Sequence, residues 1–196
     1  MGSGSTRERS DAARNRRAIL DATDALLSEF GAANVSVEQI AAAAGVGKGT
    51  VFHRFGSRAG LMKALVLERA HNLRDAVVSG EPPLGPGAPA GDRLLAYFDA
   101  MFRLVADNVE LMIAYDNATA DPHTEAIHGF WYGHVAALLA EARPDLDAEA
   151  VAPVLLATIN PDMVLHYVRD GQTERLAASV LSVVESVVGR PAHTPT

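Results

Sequence analysis

Cysteine is absent from this 196-residue chain, which excludes disulfides, thiolate metal sites and a cysteine nucleophile. No apolar run approaches the roughly 18 residues expected of a membrane span, and no charged start followed by an apolar middle marks a signal peptide. A soluble, cytoplasmic chain with no membrane partner is expected. Strand signals are missing as well, since no stretch alternates with period two or clusters β-branched residues between turns. No nucleophile–base pair or carboxylate pair stands in recognisable context, so an enzyme is not expected. His123, His128 and His134 lack metal-ligand spacing and His166 is a surface or satisfied histidine, so neither metal nor cofactor is expected. An excess of positive charge is also missing, the formal net charge being −7.

The sum hides an uneven distribution. Residues 1–75 hold 11 Lys and Arg against 8 Asp and Glu, whereas residues 76–196 hold 6 against 16. A mildly basic head precedes an acidic body, whose charge serves solubility before any preference for cationic ligands. With 48% hydrophobic residues the chain is globular, and its length suits one large domain or a small one plus a medium one.

The residues richest in information run from Ser36 to Phe55. Ser36-Val-Glu-Gln39 has capping-box spacing and starts a short helix, whose inner face is Ile40, Ala41 and Ala44. Gly45 stands where that helix must stop and the chain reverse, a place for positive φ, and Val46 follows as an apolar plug. A second helix opens near Gly47 and turns Val51 and Phe55 inward at i and i+4. Lys48, Thr50, Phe52, His53 and Arg54 are left outward, a basic, hydrogen-bonding face suited to the major groove. This is a helix-turn-helix. The same Gly45-Val-Gly-Lys-Gly-Thr50 is not a phosphate loop: Ala42 occupies the place of its first glycine, Gly49 follows the lysine, and no strand precedes it.

The remaining pattern is all-α. Residues 1–9 form a disordered basic arm, of which Met1 to Ser5 carry no function. A first helix from Ser10 or Asp11 to Phe30 carries Ile19, Leu26, Leu27 and Phe30 on one face and completes a head over 10–56. Arg7, Arg9, Arg14, Arg16 and Arg17 lie before and inside its first turns, where they oppose the helix dipole unless phosphates face them. Ser57 caps a connector helix over 57–79. Residues 80–91 hold four prolines and four glycines and form a loop. The body covers 92–189, with a helix over 94–105 and a separate one from Asn108 to Tyr115. The next helix opens on Asp121-Pro122 and runs to about Ala142 through Ile127, Phe130 and Trp131. Another opens on Asp147 and is interrupted by Pro161. Thr173 to Val188 is a last helix whose apolar residues spread round more than one face, so something should cover it. Residues 190–196 are a disordered tail. The sequon Asn117-Ala-Thr119 carries no meaning in a cytoplasmic chain.

The continuous pattern Ile19–Phe30, Ser36–Ala44, Gly45-Val-Gly-Lys-Gly-Thr-Val-Phe-His-Arg-Phe-Gly-Ser-Arg58 and Leu61 resembles the TetR family of bacterial transcriptional regulators. The resemblance covers the first third in sequence and the whole chain in helix order. It implies that Ser36, Lys48, Gly49, Thr50, Phe52, His53, Arg54 and Arg58 face DNA, with Lys48 foremost at a base edge and Arg58, Arg14, Arg16 and Arg17 on phosphates. Phe52 stands where the family usually has Tyr, Arg54 where it has His, and Gly47 where it has Ser. The resemblance further implies a homodimer through the last two long helices, a palindromic double-stranded operator and release by a small-molecule effector. Within the body, Tyr97, Met101, Phe102, Met112, Tyr115, His128, Trp131, Tyr132, Asn160 and Met163 are the candidate effector contacts, among which His128 and Trp131 share a face at i and i+3. The alternative is an all-helical small-molecule-binding or enzymatic domain with a vestigial head.

Overall fold

A computed structural model describes residues 3–31, 34–115 and 122–189. Residues 1 and 2, the 117–119 sequon, Asp121 and the tail from 190 lie outside the described residues, as do the side chains of Arg7, Arg9, Tyr115 and His123. Among the described residues the fold is all-helical: α1 (Ser3–Phe30), α2 (Val37–Ala43), α3 (Lys48–Phe55), α4 (Arg58–Ser79), α5 (Ala90–Tyr115), α6 (Pro122–Ala142), α7 (Ala148–Leu156), α8 (Pro161–Arg169) and α9 (Thr173–Val188). Two compact units divide it, 1–68 and 69–196, with the boundary inside α4.

In the first unit, α1 begins at Ser3 rather than Ser10, so the expected disordered arm is largely helical. No proline lies between Ser3 and Ser10, and Arg7, Glu8 and Arg9 are good helix formers that offset the poor one, Gly4. Its inward stripe is Ile19, Leu20 and Thr23; Phe30, expected on that face, is 47% exposed in the last turn. Thr23 is buried without cost because its hydroxyl donates to the Ile19 carbonyl at 2.6 Å. These residues pack with Ile40, Ala41, Val51, Phe55 and Leu61, all buried. Gly60 permits the closest approach in this unit, since a Cβ there would lie 2.1 Å from the Phe55 carbonyl oxygen.

The second unit has its own core along α5, α6, α7, α8 and α9, centred on Leu94, Tyr97, Phe98, Val135 and Leu139. Two expectations change here. Residues 90–115 form one helix, not two. Asn108, expected to open a new helix, is buried inside it, its amide donating to the Leu104 carbonyl and its oxygen accepting from Arg69. The Pro161 interruption, in contrast, is a full break: α7 ends at Leu156 and α8 starts at Pro161.

The 22 residues Ala148–Arg169 reach the length and mean hydropathy, 1.3, of a membrane crossing, a run the sequence reading does not find; only 22% of that window is buried. The break at 157–160 divides it, and Asn160 caps the new helix. Val154 on α7 is 67% exposed, Met163 on α8 36% and Val183 on α9 45%.

Candidate functional site

The helix-turn-helix is held by local chemistry. Ser36 accepts from the Gln39 amide at 3.2 Å while the Gln39 side chain accepts from the Ser36 amide at 2.8 Å, so the capping box is closed in both directions. The chain then reverses through Gly45 at φ +67°, where a side chain would be strained. Val46 follows half-buried, its amide bonded to the Ala41 carbonyl at 2.9 Å. Gly47 leads into α3 with extended backbone and no side-chain cap. Ser57 caps the next helix, accepting from the Gly60 amide at 3.0 Å.

This frame places α3 with Val51 and Phe55 buried and Lys48, Gly49, Phe52 and His53 exposed. Phe52 is 40% exposed. Thr50 and Arg54 are half-buried, and the Arg54 Nε has no hydrogen-bond partner among the described residues. Lys48 is not loose: its ammonium bonds the Glu38 carboxylate of α2 and lies 5.6 Å from the Phe52 ring centroid. That contact holds the Glu38 carboxyl below its ordinary pKa.

The arginines expected on phosphates divide into two kinds. Arg14 and Arg17 are exposed on α1 and pair within it, with Asp11 at 3.4 Å and Asp21 at 3.9 Å, contacts weak enough to exchange for a phosphate. Arg16 lies over the Phe55 ring at 5.1 Å, and Arg58 is half-buried with Nη2 donating to the Val35 carbonyl at 3.4 Å. These two brace the head as well as charging it.

The nine effector candidates whose side chains are described do not line one site. Tyr97, Met101, Phe102 and Trp131 are buried in the core, and Met112 packs against it. Tyr132 is exposed and donates to the Glu149 carbonyl at 2.9 Å. Met163 and His128 are exposed too. His128 does not share the face of Trp131, because the buried stripe of α6 runs Ile127, Trp131, Val135 and Leu138 and leaves His128 one position off it. Asn160 is exposed and serves the backbone, its oxygen accepting from the amides of Asp162 at 2.9 Å and Met163 at 3.2 Å. A cap, not a cavity, explains it.

Sequence reasoning passed over Arg93 and weighed His134 only as a metal ligand. Arg93 Nε, the Tyr97 hydroxyl and His134 Nε2 are buried atoms without a hydrogen-bond partner among the described residues. The Tyr97 and His134 rings lie 5.4 Å apart. Burial first and the Arg93 charge second hold the imidazole pKa down to about 4. The i, i+4 spacing of Arg93 and Tyr97 was the one available signal.

The comparisons with known proteins agree with this geometry. Residues 19–65 match the family model "Bacterial regulatory proteins, tetR family". The HTH-type transcriptional regulator BetI of Cronobacter sakazakii is 31% identical over 113 residues, 58% of this chain and 54% of that protein. BetI of Escherichia coli O17:K52:H18 is 37% identical over 87 residues, 44% of each. The chain thus spans about half the length of the curated relatives it matches. Among solved structures, a TetR transcriptional regulator from Streptomyces coelicolor aligns with TM-score 0.62 at 22% identity, over 90% of this chain and 99% of that one. The regulator FadR of Bacillus subtilis, solved with stearoyl-CoA, aligns with TM-score 0.57 at 20% identity, over 88% and 97%. The structural likeness shows the fold over about 90% of the chain, and the sequence match identifies residues 19–65, the head, with the tetR family of bacterial regulatory proteins.

Proposed function

We propose that this chain is a homodimeric DNA-binding transcriptional repressor acting in the cytoplasm on a palindromic operator and released by a small molecule bound in its second unit. The observation that carries the reading is α3: fixed between Gly45 and Ser57, it buries only Val51 and Phe55 and offers Lys48, Gly49, Phe52 and His53 outward. Such a helix is short, basic and rigidly mounted, which is what base-edge contact in a major groove requires. Lys48 meets a base edge; Thr50 and His53 follow; Arg14, Arg17 and Arg58 meet phosphates.

The dimer is supported by apolar surface that the protomer leaves uncovered. Val154, Met163 and Val183 are exposed on α7, α8 and α9, and only 22% of the most apolar window of Ala148–Arg169 is buried. A second copy would cover this surface and present two heads to half-sites about one helical turn apart or a multiple of it, ~34 to 36 Å per turn. Domain roles follow the same division: residues 10–56 read, 57–79 connect, and 92–189 sense and pair.

The test is binding to DNA from upstream of its own gene, followed by fluorescence anisotropy over a salt series. Affinity should fall steeply with salt. Lys48→Ala should weaken it by about 1–3 kcal/mol while sedimentation still shows a dimer. Salt-insensitive binding, or none, would sink the reading.

A further inference from the structure

We propose that Arg93, Tyr97 and His134 form a buried oxyanion site in the second unit, which takes the carboxylate of a small organic acid and lays its apolar part against Trp131 and Phe130. As to binding, the proposal stands on the cluster alone; as to regulation, it rests on the reading of this unit as an effector domain.

Three buried polar atoms from two helices carry the argument. Arg93 and Tyr97 are one turn apart on α5, and the Tyr97 ring lies against His134 of α6. Tyr97 is 0% exposed, yet its hydroxyl has no partner among the described residues, and neither do Arg93 Nε and His134 Nε2. Buried polar groups are as a rule satisfied, and leaving one unmade is costly. Three unpartnered polar atoms on two packed helices, α5 and α6, define what would satisfy them.

The chemistry of the three atoms selects the ligand. Arg93 Nε–H can only donate, the Tyr97 hydroxyl can donate, and an imidazole kept neutral can donate from Nε2 in one tautomer. Three donors call for acceptor oxygens. Among the described residues Arg93 forms no ion pair, and its side chain makes one hydrogen bond, from Nη2 to the Val77 carbonyl at 3.4 Å. A half-buried guanidinium without a carboxylate favours an anion over a neutral acceptor or a water. Arg74, over the Phe130 ring at 5.1 Å, adds a second positive charge nearby. Around these groups the Phe130 ring stacks on His134 at 6.1 Å, and the Trp131 ring lies 5.6 Å from Tyr97 and 4.9 Å from Phe130. The surroundings suit a flat apolar body.

The site also touches α4 from the body side. Arg93 holds the Val77 carbonyl and Arg74 covers Phe130, so an anion that draws Arg93 inward acts directly on the end of the connector helix.

Trp131 is the chain's single tryptophan and therefore a built-in reporter. The full-length protein is titrated with benzoate, with its neutral counterpart benzamide and with benzylammonium, following tryptophan emission. Benzoate should bind saturably, about tenfold or more tighter than benzamide, and benzylammonium not at all. Arg93→Met should remove the preference for benzoate over benzamide. Tyr97→Phe deletes one oxygen without changing packing; it should weaken benzoate several-fold while leaving the stability of the free protein unchanged or higher. A purely structural hydroxyl would instead lower stability and leave benzoate binding alone. Equal binding of all three probes, binding of none, or benzoate binding unmoved by Tyr97→Phe overturns the site. Benzoate binding that depends on Arg93 but does not release DNA overturns its regulatory role alone.

Discussion

The two units end and brace their helices by different means. In the head the helix ends are closed locally, Ser36 and Gln39 satisfying each other, Gly45 reversing the chain and Ser57 capping three residues ahead, while Arg16 on Phe55 and Arg58 on Val35 add longer braces. In the body the partners come from far along the chain. Arg93 closes the Val77 carbonyl near the end of α4, Arg143 closes the Val187 carbonyl at the end of α9, and Arg69 fills the oxygen of the buried Asn108. Only part of the body is capped locally, by Asp147 and Asn160. A helix end capped from within four residues can be read from sequence; one capped by a distant arginine cannot.

Three substitutions and a pH series put that contrast to the test. The largest effect should come from Gly60→Val. With a Cβ already 2.1 Å from the Phe55 oxygen, α3 and α4 must separate, at a cost of about 3 kcal/mol. DNA binding should vanish while circular dichroism retains the helicity of the body. If both units melt together, their stabilities are not independent. Next, Val183→Asp puts a charge on the apolar face of α9, which is 45% exposed in the protomer. The dimer should weaken by about 2 kcal/mol or more in sedimentation equilibrium, with the head's thermal transition unmoved.

The body should also be the more acid-sensitive unit. His134 has its pKa lowered from 6.5 to about 4, so the unfolded chain takes up the proton first as pH falls. The stabilisation is complete above about pH 6.5 and is lost progressively toward pH 4, with a slope of at most one proton. The denaturation midpoint of the wild type should fall across that range relative to that of His134→Phe, which lacks the titrating group. The smallest effect is expected in the head: Glu38→Gln frees Lys48 from its carboxylate partner and should raise affinity for non-cognate DNA a few-fold. An unchanged ratio of operator to non-cognate binding would show that Glu38 does not restrain Lys48.

The same contrast explains what was legible. The turn, both helices beside it, and the inward Val51 and Phe55 follow from capping spacing, glycine placement and period. The start of α1 was missed because a basic run resembles an arm although nothing in it breaks a helix. Asn108 misled because a residue favoured at caps can sit mid-helix when its side chain bonds the i−4 carbonyl and a distant arginine. Asn160 misled in the opposite sense, a cap taken for a cavity wall. Arg93, Tyr97 and His134 come from two helices, and only their packing together reveals three unpartnered atoms. Sequence patterns report what a residue does for its own helix, and much less of what it does for another.

The compactness of residues 1–68 has a consequence for synthesis. Each brace of the head, from the Ser36 box to Arg58 on Val35, closes within that unit. At about 5–20 residues per second, the 128 residues of the second unit take roughly 6 to 25 s to translate. A helical unit of short sequence separations folds in far less time than that. The helix-turn-helix head is therefore complete on the ribosome while the second unit, with its exposed Val154, Met163 and Val183, is still being made.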